Sequence, residues 1–360
     1  YFLFYLFLIF LTINSILSLA YNLLLYIKLW YNVANSMQSK EITMKIKKIL
    51  TSMTQAILLS IGLLISLGAG LAIGYVGGLV KDQPVLTQKE MKEQINNISK
   101  NSEVYFGSGE KLGTINSELI RKTVTYENIG DNVKNAIIAS EDSNFYSNSG
   151  IDIWAVLRAT HSEATGARTT GGSTITQQLV KNQLLDNSRS YERKAKEILL
   201  ALRVDSHFSK NEILENYLNV APFGKNSLGQ NISGIETAAQ GVFGAHSKDL
   251  NIAQAAYLVG FVQSPYRYTP FDSAGNIRPD EELQAGFERQ QYVLERMLSN
   301  DFITKEQFEE AKKFDIKGAY TKQKYSEYTD YPYIRDEVTS SVKMSFSNER
   351  EMETSQMKER

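Results

Sequence analysis

Two adjacent acidic residues, Glu141 and Asp142, are the first candidates for chemistry. They open the segment EDSNFYSNSGID, and Ile137 and Ile138 precede Glu141 by four and three positions. Because residues three and four apart share a helix face, Glu141 continues an apolar face. A carboxylate at the edge of an apolar face suits a general base. The alternative is a helix-terminal acid turned to solvent, and this segment alone leaves both interpretations open.

The polar segment GGSTITQQLVKN is a second candidate. Its two glycines break any preceding structure, and Ser173 or Thr174 can cap a new helix. Thr174, Gln178 and Lys181 then recur at i, i+4 and i+7, which puts a hydroxyl, an amide and an ammonium on one helix face. Such donors near a helix N-terminus suit an oxyanion or phosphate site. The alternative is a plain polar helix face.

A third segment, RKAKEI, places Arg193 and Glu197 four positions apart on one helix face. On their own, these two residues indicate a surface ion pair worth roughly 0.3–0.5 kcal/mol. A chemical role for Arg193 and Glu197 therefore depends on the other segments, considered together with this one.

Amphipathic helices would position these side chains. The apolar spacing predicts helices over NVKNAIIASED, SYERKAKEILLALRVDSHF, SKNEILENYLNVAPFG, NIAQAAYLVGFVQSP, AGFERQQYVLERMLSN and TKEQFEEAKKF. Pro222, Gly224 and Pro265 predict helix ends, and Thr304 predicts a cap. The segment SEVYFGSGEKLGTI, with β-forming residues around a Gly-Ser-Gly turn, predicts a hairpin. Strand signals are otherwise sparse, so we expect a mostly α domain.

Together these segments resemble the peptidoglycan glycosyltransferases of glycosyltransferase family 51, the transglycosylase domain of class A penicillin-binding proteins. EDSNFYSNSGID, GGSTITQQLVKN, RKAKEI and KNEILENYLN follow the order and spacing of that family. GIETAAQGVFG and DLNIAQAAYLVGFVQSPYRYTPF resemble its fifth motif and its closing helix. The resemblance covers about Glu103 to Lys313. It implies a lysozyme-like, mostly α transglycosylase domain behind an N-terminal transmembrane helix.

The resemblance also implies roles for residues. It makes Glu141 the general base and Glu197 a second catalytic residue that orients Arg193, steers the acceptor or binds a divalent ion. Four residues are implied to bind the substrate and its pyrophosphate: Thr174, Gln178, Lys181 and Arg193. Four more are implied to shape the pocket: Asp142, Phe145, Asn148 and Gly150. The family usually has histidine where this chain has Asn148, and asparagine cannot become cationic, so no acid/base role is carried over to it.

Composition excludes several other classes of function. The net charge is −1, so there is no bulk electrostatic case for binding nucleic acid. The absence of cysteine excludes disulfides and thiolate metal sites, and the three histidines form no metal-ligand pattern. The resemblance requires no cofactor, but it allows a divalent cation, Mg or Mn, at the pyrophosphate. The implied partners are lipid II, the lipid-linked glycan, the membrane, and other cell-wall synthesis and division proteins.

An uncharged run from Ile49 to Val80 predicts a membrane anchor. It exceeds the roughly 20 apolar residues that a span needs. Lys40, Lys45, Lys47 and Lys48 precede it, and positive charge stays in the cytoplasm, so everything after Lys81 should lie outside the cell. A cleaved signal peptide is the alternative, but its apolar region is shorter.

The predicted organisation has six parts. Residues 1–36 are an apolar leader, either a second span or an over-extended reading frame. The other five parts are a cytoplasmic basic segment at 37–48, a transmembrane helix at 49–80, a stalk and hairpin at 81–120, a glycosyltransferase domain at 121–316 and a linker at 317–360. The linker would lead toward an absent transpeptidase domain, since no K-[TS]-G motif occurs and SQMK is a chance match to S-x-x-K. A naturally monofunctional transglycosylase is the alternative.

Two rival functions remain open from the sequence. A lytic peptidoglycan glycosidase would share a helical fold and a catalytic glutamate, but it would not need the Lys181 and Arg193 set. A non-catalytic membrane-anchored scaffold would not require Glu141.

Overall fold

The structure is a computed structural model of the chain. It describes residues 21–22, 25–29, 33, 40–81, 86–96, 103–105, 107–109, 111–114, 119–152, 154–155, 158, 172–186, 190–321, 337–338, 340–341 and 344. Most of the predicted leader at 1–36 and of the predicted linker at 317–360 lies outside the described residues.

Helices dominate the described residues, which confirms the mostly α fold class. The helices are α1 (Lys40–Val80), α2 (Gln88–Asn96), α3 (Asp131–Glu141), α4 (Ile175–Gln183), α5 (Tyr191–His207), α6 (Lys210–Val220), α7 (Ile235–Phe243), α8 (Ile252–Phe261), α9 (Pro265–Tyr268), α10 (Asp280–Ser299) and α11 (Lys305–Lys313). The strands are β1 (Glu103–Tyr105), β2 (Lys111–Thr114), β3 (Leu119–Arg121), β4 (Pro222–Lys225) and β5 (Asn231–Ser233). Two single-turn 3₁₀ helices cover Tyr126–Asn128 and Ser247–Asp249.

The chain divides into two units. The first comprises residues 1–85, 152–172 and 187–199, and it contains α1 and the first half of α5. The second comprises residues 86–151, 173–186 and 200–360, and it contains both sheets and most of the other helices.

Within the first unit, α1 is a continuous helix of 41 residues. It begins at Lys40, so helical structure extends back into the predicted basic segment, where no proline or glycine interrupts it. Among the described residues, α1 is the one helix long and apolar enough to cross a membrane, over Met44–Leu71, and almost none of that stretch is buried.

In the second unit, the predicted hairpin is confirmed. β1 pairs antiparallel with β2, from Glu103 opposite Thr114, around a turn in which Gly109 has a positive φ. A three-stranded sheet of order β3-β5-β4 was not predicted, and in it β3 runs parallel to β5. Its strands have three or four residues each, too short for an alternating pattern to be recognised.

Capping boxes start five of the helices described in the second unit and fix where they begin. The capping side chains belong to Thr87 for α2, Thr174 for α4, Ser209 for α6, Asn251 for α8 and Thr304 for α11. In each box the cap side chain accepts a backbone N–H at N3, and the N3 side chain accepts the N–H of the cap residue. The predicted cap at Thr304 is confirmed. Of the two residues that could cap α4, Thr174 is the cap and Ser173 is not.

The core of the second unit lies where α3, α8 and α10 pack together, with α4 packed against α6. Its largest fully buried side chains include Tyr217, Tyr257, Phe145, Phe223 and Phe261. This packing brings the C-terminal end of α3 beside both α10 and α4. Glu141 is the last residue of α3.

The packed region continues past the predicted domain end at residue 316. Tyr320 is 4% exposed, and its hydroxyl lies 2.6 Å from that of Tyr257. The backbone N–H of Thr321 donates to the carbonyl of Val242. An aromatic residue from the start of the predicted linker therefore completes this part of the core.

Candidate active site

Glu141 lies in a polar network at the junction of three helices. Its Oε1 accepts a hydrogen bond from Arg289 Nη2 at 2.9 Å, and its Oε2 accepts one from Gln178 Nε2 at 3.1 Å. The side chain of Glu141 is 14% exposed, and Ile137 and Ile138 are buried. The prediction that Glu141 continues the apolar face of its helix is confirmed, and the solvent-facing alternative is wrong.

Gln178 is fixed in turn by Tyr217 of α6. The Tyr217 hydroxyl donates to Gln178 Oε1 at 2.9 Å, which leaves the amide NH₂ turned to Glu141. Burial raises the pKa of Tyr217 well above its ordinary value, and the charges of Glu141 and Asp142 raise it further. Tyr217 is therefore a neutral donor throughout the physiological range.

Arg289 of α10 is a site residue that the sequence did not identify. It forms an ion pair with Glu141, which lies 148 positions earlier in the chain. Helical periodicity relates only residues within one helix, so it could not predict this pair. The available signal was local: Gly286, Gln290 and Val293 are buried, so Arg289 lies beside the buried face of its own helix. A long cation in that position usually has a partner.

Asp142 has a different set of donors. The side chain is nearly buried, and its oxygens accept from Asn148 Nδ2 at 3.0 and 3.1 Å and from the backbone N–H of Ile175 at 3.1 Å. Ile175 is the first residue of α4, so Asp142 caps the positive end of that helix. The expectation that Asp142 orients rather than reacts fits this placement.

Asn148 connects Asp142 to the loop that follows. Its amide NH₂ donates to Asp142, and its Oδ1 accepts from the backbone N–H of Gly150 at 3.0 Å. Lys210 Nζ donates to the Asn148 carbonyl at 2.8 Å and pairs with Asp205. The Asn148 amide thus both donates and accepts hydrogen bonds, and neither bond requires a positive charge at this position.

Phe145 and Gly150 shape the same loop. Phe145 is fully buried, and Lys210 Nζ lies 4.9 Å from the centre of its ring. Gly150 has φ +85°, and a Cβ there would lie 2.5 Å from the carbonyl oxygen of Ala201. The position therefore requires glycine both for its conformation and for the close approach.

Thr174 does not lie on the predicted polar face. Thr174 is the N-cap of α4 and has an extended backbone. It therefore lies outside the helical turns that place Gln178 and Lys181 on one face. Its hydroxyl accepts from Gln177 N and donates its one proton to the Gly150 carbonyl at 2.6 Å. The expected role of Thr174 as a donor to pyrophosphate is corrected: the hydroxyl ties the loop to α4.

Lys181 lies three positions after Gln178 on α4, in the last turn of the helix, and it is exposed. Gln178 and Lys181 therefore share a helix face, as predicted. The Gln178 amide contacts the Glu141 carboxylate. The Lys181 side chain is exposed to solvent, where an anionic ligand can reach its ammonium group.

Arg193 and Glu197 lie in the first unit, on α5. The Glu197 side chain is 3% exposed, it pairs with Lys194, and one oxygen lies 3.9 Å from Arg193 Nη1. The interpretation of Arg193 and Glu197 as a surface pair is wrong, because the carboxylate is buried. Lys194 was not identified from the sequence. Among the described residues, the buried Nε of Arg193 has no hydrogen-bond partner.

The arrangement at Glu197 does not suit a divalent cation. A carboxylate that already faces two cationic side chains adds little negative charge for a metal ion. Within the described ranges, no group of three or more His, Asp or Glu side chains could hold one.

Comparison with known proteins adds a family match. A family model described as Transglycosylase matches residues 108–298, just over half of the chain. Penicillin-binding protein 1A of Aquifex aeolicus is 40% identical over 242 residues, which are 67% of this chain and 31% of that protein. Penicillin-binding protein 1A of Pseudomonas aeruginosa is 32% identical over 273 residues, 76% of this chain and 31% of that protein. The chain thus spans about a third of the length of these curated relatives.

A solved structure was also matched. The 2.6 Å crystal structure of penicillin-binding protein 1A from Haemophilus influenzae aligns with a TM-score of 0.36 and 20% sequence identity, over 70% of this chain and 25% of that one.

Proposed function

The chain belongs to the transglycosylase family, and from that premise we propose that it is a membrane-anchored peptidoglycan glycosyltransferase. Its substrate would be lipid II, which it polymerises into glycan strands with release of undecaprenyl pyrophosphate. The observation that carries the proposal is the Glu141 carboxylate, which is largely buried and held by one donor on each oxygen. That arrangement presents one oriented base at the end of α3.

In the proposed reaction, the growing lipid-linked glycan is the donor and a new lipid II is the acceptor. Glu141 removes the proton from the 4-hydroxyl of the acceptor GlcNAc. That oxygen attacks C1 of the donor MurNAc, and the lipid pyrophosphate leaves with its electron pair, so that the α linkage becomes β. The logic is that of an inverting glycosidase with a sugar hydroxyl in place of water.

The leaving pyrophosphate gains negative charge in the transition state and needs cations. We assign Lys181 to it, because this ammonium is exposed one turn from the Gln178 amide. Arg193 is assigned on the resemblance of RKAKEI to the family motif. Glu197, which lies beside Arg193 on α5, would orient its guanidinium. Gln178 holds the base.

The membrane anchor fits this chemistry, because both substrates are lipids. We propose that α1 crosses the cell membrane as a single span and that the catalytic domain lies on its outer face. Lysines at the cytoplasmic end of α1 support this orientation.

Polymerisation of lipid II tests the proposal. The full chain in detergent is incubated with radiolabelled lipid II, and in parallel with preformed uncrosslinked glycan. A polymer that is sensitive to lysozyme supports the proposal. Shortening of the preformed glycan without polymer formation would identify a lytic glycosidase instead, and no change in either substrate would indicate a non-catalytic scaffold.

A further inference from the structure

We infer that Arg289 is a positioning residue for Glu141: it fixes the carboxylate so that its free lone pairs face the acceptor hydroxyl. The inference rests on the proposed function, which makes Glu141 the base. Its structural basis is the 2.9 Å bond from Arg289 Nη2 to Glu141 Oε1, between side chains that are 12% and 14% exposed.

The two donors to Glu141 come from different helices. Arg289 on α10 contacts one oxygen, and Gln178 on α4 contacts the other. One donor alone would leave the carboxylate free to rotate about its last bond, whereas two donors on separate helices define its plane. Each carboxylate oxygen retains further acceptor capacity, so the base keeps lone pairs for the acceptor proton.

Arg289 is itself held from two directions. Gly260 of α8 makes room for its stem, since a Cβ at that glycine would lie 3.0 Å from Arg289 Cγ. The ring of Tyr292 lies 4.5 Å from the guanidinium carbon. A planar guanidinium that is packed and stacked in this way loses little further freedom when it bonds to a carboxylate. The residue therefore has the rigidity that a positioning role requires.

Arg289 could act on Glu141 through its charge or by fixing its position, and these two effects predict opposite changes in rate when Arg289 is removed. A neighbouring cation favours the carboxylate over the neutral acid, so it opposes proton uptake in the transition state. If charge were its only effect, removal of Arg289 would leave the rate unchanged or higher. If Arg289 positions the base, its removal lowers the rate.

Three variants of the full chain separate these outcomes by polymerisation kinetics. Arg289→Ala should lower kcat by about 10- to 100-fold and leave KM for lipid II within about threefold, because a base misplaced by about 1 Å can cost a hundredfold. Arg289→Lys keeps a donor and should recover part of kcat. The matched control is Arg296→Ala, which removes another contact between α10 and α3, the bond from Arg296 Nε to the Ala139 carbonyl at 3.2 Å.

The control should keep kcat within about twofold, a smaller effect than the misplacement of a reacting group. A kcat for Arg289→Ala at or above the wild-type value would overturn the inference. An equal loss in Arg296→Ala would overturn it too, because helix packing would then be the cause. Should Arg289→Ala fail to fold, Arg289→Lys decides: kcat should fall by about threefold or more at unchanged KM, and a wild-type kcat contradicts the inference.

A measurement without substrate keeps this inference distinct from the proposed function. Carbodiimide-promoted coupling of an amine to Glu141, followed by peptide mass spectrometry, reports whether Arg289 shields the carboxylate. Coupling should be faster in Arg289→Ala and unchanged in Arg296→Ala. A wild-type chain that makes no polymer would refute the proposed function alone, whereas equal coupling in wild type and Arg289→Ala would refute the positioning role of Arg289.

Discussion

At the scale of single residues, Glu141 and Asp142 are neighbours in the chain whose carboxylates meet different donors. Asp142 accepts from two groups of the scaffold, Asn148 Nδ2 and the backbone N–H of Ile175. Glu141 accepts from the long side chains of Arg289 and Gln178. The first arrangement fixes a loop and a helix start, and the second orients the carboxylate that we propose as the base.

We expect Asp142→Asn to lower stability more than catalysis. Both Asp142 oxygens accept hydrogen bonds, so one of the two must become an NH₂ that faces another donor. An unmatched buried pair costs about 1–3 kcal/mol, which lowers the thermal midpoint by roughly 2–12 °C in a domain of this size. Thermal melts and initial polymerisation rates check this. A dead enzyme with an unchanged midpoint would contradict the role assigned to Asp142.

Lys181→Ala should leave the fold intact and remove most of the polymerisation rate. The side chain is exposed on α4, so little packing is lost. A charged contact made in the transition state is worth roughly 3–4 kcal/mol, about a hundredfold or more. Lys312→Ala, an exposed lysine on α11, is the matched control and should keep full activity. A loss below about threefold in Lys181→Ala would place that lysine outside the site.

The sequence predicted the placement of residues that depends on local spacing. Glu141 could be placed because Ile137 and Ile138 precede it in one helix. Arg289 could not, because its partner is 148 positions away. Thr174 was misassigned because a residue at a helix start can serve equally as a cap or as a ligand donor. Only the contact with Gly150 decides between those two roles.

At the scale of elements, the loop from Asp142 to Gly150 is fixed between α3, α4 and α5. Thr174 at the start of α4 donates to the Gly150 carbonyl, and Asn148 accepts the Gly150 N–H. The backbone of α5 passes so close to Gly150 that a Cβ would overlap the Ala201 carbonyl. The start of the loop and its end are thereby held next to Glu141, the proposed base.

Gly150→Ala should therefore destabilise the protein. The strained φ costs about 1–3 kcal/mol, and the overlap with Ala201 adds to it. We expect the thermal midpoint to fall by at least about 4 °C. Ser149→Ala, at the exposed neighbouring position, is the control and should melt like wild type. Equal midpoints for Gly150→Ala and wild type would show that the loop accommodates a Cβ without loss of stability.

Elements with local signals were predicted, and those that depend on distant pairing were not. The hairpin of β1 and β2 follows from its turn residues, and the helix starts follow from their caps. The parallel pairing of β3 with β5 joins segments more than a hundred residues apart, as the bond from Arg121 to Ser233 shows. Nothing within a strand of three residues specifies a partner at that distance.

At the scale of the whole molecule, α1 should set the orientation of the catalytic domain. The positive residues Lys40, Lys45, Lys47 and Lys48 lie at its N-terminal end, and the uncharged run follows. Protease added outside intact cells, or to spheroplasts of an expression host with an outer membrane, should therefore degrade the domain after Lys81. A cytoplasmic marker protein in the same cells should be protected. Protection of the catalytic domain would contradict the orientation.

For the molecule as a whole, the ordered motifs were sufficient to predict the family that the comparison then showed. They did not predict that Tyr320 is packed in the core, because it looks like one of many tyrosines in a polar segment. Its burial depends on an aromatic cluster formed by Phe243, Tyr257 and Phe271, which belong to three separate segments. Such a cluster exists only once the chain has folded.

The role of Glu141 as the general base is tested most directly by the initial rate of lipid II polymerisation in Glu141→Gln. Glutamine keeps the size of the side chain and can still accept from Arg289, but it cannot take up the acceptor proton. General base catalysis is worth about 10²- to 10⁴-fold, so the rate should fall at least a hundredfold while lipid II still binds. An active Glu141→Gln enzyme, within about threefold of wild type, would show that the base is another residue.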